Sequence, residues 1–265
     1  MRKLSASGIS TFLKSPRAYY WKYVAGIEPV TLSVATFDHD RICGTCWSAF
    51  VARFYDGVPE EDNLRQTLAE WNEATDGWVP YKAKERLTGA LTTWAAEYYH
   101  RFNPKDGCRV QSELKVENDR FIGYLDGWNP ETKIVHEVKS TSRCPQISEQ
   151  LWKVTNSLQV RLYAVLTGAE GVCIEFAYKD APQAIFRGPV TPVTAEQRER
   201  WELQLNALAD TISGMGDDPN HYPCHPDGCN ITGKNFTAMC GYQVVCEQGL
   251  DEVTRIGYKF REQRR

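Results

Sequence analysis

The run Gly123-Tyr124-Leu125-Asp126-Gly127-Trp128 is followed by Asn129-Pro130-Glu131-Thr132-Lys133 and then by Ile134-Val135-His136-Glu137-Val138-Lys139. Two apolar stretches joined by a short polar break read as a β-hairpin. Residues two apart on a strand share a face, so Glu137 and Lys139 point the same way. A four-residue turn that pairs Trp128 with Lys133 sets Asp126 opposite Val135 and diagonal to Glu137. Diagonal neighbours lie about 7–8 Å apart at the backbone. Two carboxylates at that spacing can converge on one Mg²⁺ or Mn²⁺; Mg²⁺ takes oxygens at about 2.0–2.1 Å. A register change of one residue would turn Asp126 to the other face.

Each group then has a chemical task. Asp126 and Glu137 are candidate metal ligands, and the Val138 carbonyl offers a neutral third oxygen. A metal there lowers the pKa of bound water and offsets charge on a phosphate. Lys139 can orient the attacking water or stabilise the crowded phosphate. The competing reading is a surface hairpin with an ordinary Glu–Lys pair, because Glu-x-Lys alone is frequent by chance.

The chain has 265 residues, 42% of them hydrophobic, which allows a substantial core in one large domain. The net charge of −3 excludes a bulk polycation. Nucleic-acid contact would need local basic patches, such as Arg2, Lys3, Lys14, Arg17 and Lys22, or Lys259, Arg261, Arg264 and Arg265. Solvated surface is the plain alternative for both groups. No apolar run reaches the ~18 residues of a membrane span, and the start lacks a secretory apolar core. A cytoplasmic, reducing setting is expected, so the 9 cysteines read as thiols or metal ligands.

Helical spacing dominates the first hundred residues. Ser7 is an expected N-cap before Ile9, Phe12 and Leu13, and Ser15-Pro16 starts a second helix carrying Tyr19, Tyr20 and Tyr23. Ile42 to Phe54, Leu64 to Trp71 and Leu87 to Tyr98 mark three more. Period two takes over at Cys108–Val116, Arg120–Trp128 and Lys133–Lys139. A helix with Leu151, Leu158, Leu162 and Val165 follows, then strands at Val172–Tyr178 and Ala184–Val190. Thr194 and Gln197 form a capping box before a helix with Trp201, Leu205, Leu208 and Ile212. The tail after Gly214 is irregular and rich in cysteine.

In this order the motifs resemble the PD-(D/E)XK nuclease superfamily. The nearest likeness is to its RecB-like branch, with phage exonucleases and CRISPR-associated RecB-like exonucleases. Ser7 to Tyr20 resembles that branch's opening, Gly123-x-x-Asp126 and Glu137-x-Lys139 its two core motifs, and Gln159-x-x-x-Tyr163 its following helix motif. The resemblance implies a restriction-endonuclease-like core, a small mixed α/β sheet flanked by helices. It implies a site of Asp126, Glu137, Lys139, Gln159 and Tyr163 acting on DNA, with single strands or duplex ends as substrate. Gln159 and Tyr163, one helical turn apart, would contact the DNA backbone and help position the metal. Recombination or replication proteins in a bacterial cell or phage-infected host are the implied partners.

Two departures stand out. Ser48, in Gly44-Thr45-Cys46-Trp47-Ser48, occupies the place where the branch often has a metal-binding His. Glu113 could add a carboxylate, although pairing with Lys115 or solvent is the expectation. Members of the branch often hold a [4Fe–4S] cluster by one early and three late cysteines; here the early position is Ser15. Cys224, Cys229, Cys240 and Cys246 could complete a cluster or a Zn²⁺ site alone, with His225 a further zinc candidate, or some could be buried thiols. Cys43 and Cys46 read as core thiols, and His136 as a structural residue on the face opposite Glu137.

The expectation is one nuclease domain over 1–265: a helical region at 1–105, a catalytic core at 106–214 and a Cys-rich tail at 215–265. Its expected activity is divalent-metal-dependent DNA hydrolysis, by exonuclease action. The alternative is a weak or inactive nuclease-fold DNA-binding protein.

Overall fold

Helical periodicity builds the first part of the chain. In this computed structural model the described residues are 3–29, 38–76, 79–102, 110–141, 156–180, 184–223, 230–233, 236–239 and 258–260. Two compact units divide the chain: Met1–Val34, Asp119–Phe121 and Leu203–Arg265 form one, and Ala35–Asn118 with Ile122–Glu202 form the other. In the first, α1 (Ala6–Lys14) is capped by Ser5, whose hydroxyl accepts from the Gly8 N–H at 3.2 Å. Ser7, the expected cap, lies inside the first turn; Ser5 has the extended backbone a cap needs. Ser15 caps α2 (Pro16–Tyr19) with Pro16 in its first turn, as expected. A π-helical turn (Tyr20–Val24) and β1 (Ile27–Pro29) follow.

The second unit opens with α3 (Asp38–Tyr55), α4 (Glu60–Thr75) and α5 (Tyr81–Arg101). Steps of three and four residues bury Cys43, Cys46, Trp47, Phe50, Val51 and Phe54 on α3, and Leu87, Ala90, Leu91, Trp94, Ala95 and Tyr98 on α5. On α4 the buried stripe is Asn63, Thr67, Trp71 and Thr75; Leu64 and Leu68 are only partly covered. Arg53 donates to Asn63 at 2.8 Å and Thr67 at 2.6 Å, which satisfies those polar groups.

The sheet comprises β2 (Gln111–Glu117), β3 (Ile122–Asn129), β4 (Ile134–Thr141), β5 (Gly171–Tyr178) and β6 (Ile185–Arg187), in that order. A short β7 (Thr191–Pro192) also pairs with β5. Only β4 and β5 run parallel. A parallel pair needs a crossover, and α6 (Leu158–Thr167) lies in that connection. Ser157 caps α6; Leu151, expected in the same helix, falls outside the described residues, as does Cys108 before β2.

The two sheet faces carry different cores. Val138 and Ala177 join the α3–α5 cluster, while Val135, Val172, Ile174 and Phe176 join Val160, Tyr163 and Ala164 of α6. The capping box of Thr194 and Gln197 forms with both bonds, at 2.8 and 3.1 Å, before α7 (Ala195–Gly214). The tail contributes β8 (Asn230–Gly233), β9 (Phe236–Met239) and β10 (Tyr258–Phe260), the last paired with β1.

The central hairpin differs from expectation by two residues of register. Trp128 pairs with Val135, and Asn129 with Ile134. Asn129 stays in the strand because its side-chain oxygen accepts from the N–H groups of Glu131 and Thr132, at 3.0 and 3.1 Å. Lys133 closes the turn at φ 51°. A shift of two preserves the face of the side chains in the paired part of the hairpin.

Behind β4, Glu175 of β5 is 2% exposed. Its carboxylate meets Arg187 at 2.8 Å, the Tyr98 hydroxyl at 2.7 Å and the Tyr55 hydroxyl at 3.1 Å, with His136 at 3.7 Å. Burial alone would raise this carboxyl, but His136, Arg187 and Tyr98 together hold it below its ordinary pKa. Arg187→Ala takes the guanidinium from that buried charge and is expected to destabilise the fold by about 3–5 kcal/mol. Urea unfolding of wild type and variant measures this; a difference under 1 kcal/mol, in the range of an exposed ion pair, would contradict it.

Candidate active site

The site forms where β3 and β4 part. Their paired ladder ends at Gly127 and His136. One residue further, the Asp126 carboxylate takes the place of a main-chain partner and accepts from the Val138 N–H at 2.8 Å. The neighbouring position on β2 is Glu113, which lies between the pairs Ser112–Gly127 and Leu114–Leu125 and has φ 48°. A non-glycine residue in that region is strained and is kept only where its surroundings hold it. The kink also reverses β3: Leu125 and Trp128, three apart, both join the α6-side core. A regular strand would send them to opposite faces.

Glu137 is the most confined acid of the group, with 0% exposure. Lys139 meets one of its carboxylate oxygens in an ion pair, and the other, Oε2, has no hydrogen-bond partner. Burial pushes its pKa up to about 7; the Lys139 charge opposes the rise, and Asp126 adds to it. Asp126 is also raised, first by burial, against the pull of the Val138 N–H and Lys139. Glu113 is raised by burial and then by Asp126. Lys115 pairs instead with Glu117 at 3.0 Å, so of the two expectations for Glu113 the pairing with Lys115 is corrected, while Glu113 is exposed to solvent as the other had it. Glu113 lies near enough to Asp126 to feel its charge.

A chain of side chains supports Lys139. Its ammonium donates to the Gln159 oxygen at 3.1 Å, and the Gln159 amide donates to the Tyr163 hydroxyl at 3.0 Å. Burial, and then the charge on Glu137, push the Tyr163 pKa upward, so the phenol remains protonated. Tyr163 reaches β3 because Gly123 has no side chain: a Cβ there would lie 2.6 Å from the Tyr163 ring.

Asp126, Glu137, Val138, Lys139, Gln159 and Tyr163 thus come together. Gln159 and Tyr163 lie one turn apart on α6, and Tyr163 is buried beneath the site. Ser48 lines a cavity with Val138 and Lys139. Cys224, Cys229, Cys240, Cys246 and His225 lie outside the described residues. Cys43 and Cys46 are buried free thiols raised by burial to about 12 and about 11. His136 is buried beside Cys173, across the sheet from Glu137. The Glu175 network escaped the sequence reading, although one charge inside the apolar run Val172–Tyr178 signals it.

The donors fit a hard divalent cation. Two adjacent carboxylates, one of them buried with an oxygen that no donor meets, are the oxygen ligands Mg²⁺ and Mn²⁺ prefer. Ligand atoms of His136, Cys173 and Glu175 also lie within 4.8 Å of one another. That second cluster fits a cation less well, because Arg187, Tyr98 and Tyr55 already occupy the Glu175 oxygens.

A sequence profile of the PD-(D/E)XK nuclease superfamily matches residues 3–247. The chain belongs to that superfamily. Among solved structures, this PD-(D/E)XK nuclease is similar to a candidate exonuclease from Eubacterium rectale, at 11% identity and a TM-score of 0.53. The match covers 93% of this chain and 92% of that one. A phage-related exonuclease from Haemophilus somnus 129PT matches 48% of this chain and 74% of its own, at 14% identity and TM-score 0.34. No curated protein matches in sequence. The superfamily's sheet with flanking helices is the fold described above, and divalent metals are typical of its members.

A carboxyl with a raised folded pKa binds its proton more tightly when folded. For Glu137, metal-free stability therefore falls as pH rises from about 4.5 to about 7, and stays reduced above. Without metal, Glu137→Gln should be more stable than wild type at pH 8, by about 1–3 kcal/mol, and nearly equal at pH 4.5. Thermal unfolding in a chelator tests this, and a variant no more stable at pH 8 would rule it out.

Proposed function

We propose that this nuclease hydrolyses phosphodiester bonds in DNA with Mg²⁺ or Mn²⁺, working from strand ends. The observation that supports it best is the buried Glu137 carboxylate beside Asp126, met by Lys139 at one oxygen and by no hydrogen-bond donor at the other. Such a group is costly in a purely structural role. Asp126 and Glu137, with the Val138 carbonyl and Glu113, would hold the metal. When bound, the ion supplies charge neutralisation at the phosphate and a lowered pKa for the attacking water.

The chain's own residues do the positioning. Gln159 holds the Lys139 ammonium toward the acids, and the Tyr163 hydroxyl holds Gln159. Lys139 then stands where charge builds on the phosphate. Its paired carboxylate becomes free to bind metal only after losing the proton that burial favours, so activity should rise through about pH 7.

A second reading, a nuclease-fold protein that binds DNA with little or no turnover, is favoured by Ser48 at the cavity wall where a stronger ligand would help. End-labelled and circular DNA, single- and double-stranded, incubated with each metal separates the two. The proposal expects metal-dependent loss of linear substrate, reduced at least 100-fold by Asp126→Ala and by Lys139→Ala. Binding without turnover under every metal supports the second reading, and turnover that survives both substitutions removes the assigned chemistry.

A further inference from the structure

Tyr124 stands two residues before Asp126 on β3 and is 56% exposed. A single exposed ring is ordinary on a protein surface. The place of this one is not, because it lies where β3 has parted from β4. Its neighbours fix its direction. Leu125 enters the α6-side core, and a Cβ at Gly123 would meet the Tyr163 ring, so both face α6. Alternation sends Tyr124 to the other face. α3 covers that face elsewhere: a Cβ at Gly44 would lie 2.8 Å from the Ser140 hydroxyl, and one at Gly127 3.7 Å from the Tyr55 ring. Asp56, just past α3, accepts from Ser112 at 3.1 Å. Tyr124 falls beyond this cover.

What this position offers a nucleic acid is a ring face rather than a charge. Lys115 is the cross-strand partner of Tyr124, and its ammonium is paired with Glu117 at 3.0 Å. Glu113 and Asp126, further along the same two strands, are acidic. A DNA phosphate is not drawn to such a spot, but a base is, since stacking needs only a π-face. Two residues of strand, at about 3.3 Å each, separate the backbone of Tyr124 from that of Asp126. A nucleotide spans a similar distance from its phosphate across the sugar to the base. A phosphodiester held at the acids therefore brings an adjoining base within reach of the ring. A base inside a duplex must first be unstacked at a cost, whereas an unpaired one turns its face freely.

We propose that Tyr124 is a platform on which a base beside the cut phosphodiester stacks, and that this stack gives the site a preference for unpaired strands. The proposal takes DNA hydrolysis from the reading above. The ring carries the contact, not the hydroxyl, so phenylalanine can replace it. The stack is made before and during the reaction alike. Its loss therefore raises KM and spares kcat.

Binding can be separated from hydrolysis. The full chain, in EDTA at fixed salt, is titrated by fluorescence anisotropy against two labelled single strands of equal length. One carries thymine bases and the other abasic sugars, so only the first can stack. Wild type should bind the thymine strand more tightly. Tyr124→Ala should weaken that binding by about fivefold or more, the order of one lost stack, and leave the abasic strand unchanged. Tyr124→Phe should bind both strands as wild type does. A wild type that does not favour the thymine strand overturns the proposal. So does a Tyr124→Ala variant that loses nothing or loses equally on both strands, or a Tyr124→Phe variant that behaves like it. An equal loss in Tyr81→Ala, an exposed tyrosine at the start of α5, also overturns it, because the effect would then belong to aromatic surface in general. Digestion with Mg²⁺ or Mn²⁺ tests the chemistry separately. Tyr124→Ala should raise KM for the thymine strand with kcat unchanged, and wild type should cut single strands faster than blunt duplex; a duplex cut as fast defeats the preference. Base-dependent binding without hydrolysis upholds the platform and defeats the proposed hydrolysis; hydrolysis with equal binding of the two strands does the reverse.

Discussion

Glu137 has no exposed surface and only Lys139 to answer its charge. Much of the second unit follows from that constraint. The strand carrying Glu137 lies between β3 and β5 and is paired with β5 along its whole length, which restrains its backbone. Lys139 is held in turn by Gln159 and Tyr163 of the crossover helix. Tyr163 can stand there because Gly123 clears its ring. A glycine on one strand, a helix turn and an ion pair on another thus form one supported unit. Loosening any member moves the ammonium relative to the acids.

The hairpin was legible because its signals are local. Period-two alternation with Glu137 and Lys139 two apart survives any even change of register, and the observed change was two. The side-chain cap from Asn129 moved the turn, and propensity alone does not weigh that bond. The pairing of Gln159 with Tyr163 was also legible, since helical spacing of four is unambiguous. Burial of Tyr163 was not, because it depends on the absent side chain of Gly123.

Features that depend on two distant segments were hidden. Glu113 looked like an ordinary strand residue near Lys115, yet it holds a left-handed backbone angle and feels the charge of Asp126. The parity reversal between Leu125 and Trp128 has no sign in a sequence that alternates on either side of it. The cavity needs α3, β4 and the end of β5 at once. Its Lys179 follows Tyr178 as if it merely closed a strand. Ser48 was legible as a missing ligand, but not as part of a cavity wall.

Two carboxylates on neighbouring strands show how burial separates support from chemistry. Glu175 faces the α3–α5 side and Glu137 the opposite core. Both are almost or wholly removed from water. Glu175 is met by a guanidinium, two phenols and an imidazole, and its pKa falls. Glu137 meets one ammonium, and its pKa climbs to about 7. Desolvation is similar in the two, so the number of donors decides the sign. The first acid is complete within the protein and fastens β5 to the helices behind it. The second is incomplete by the same accounting, and a cation from solution is the simplest group that would complete it.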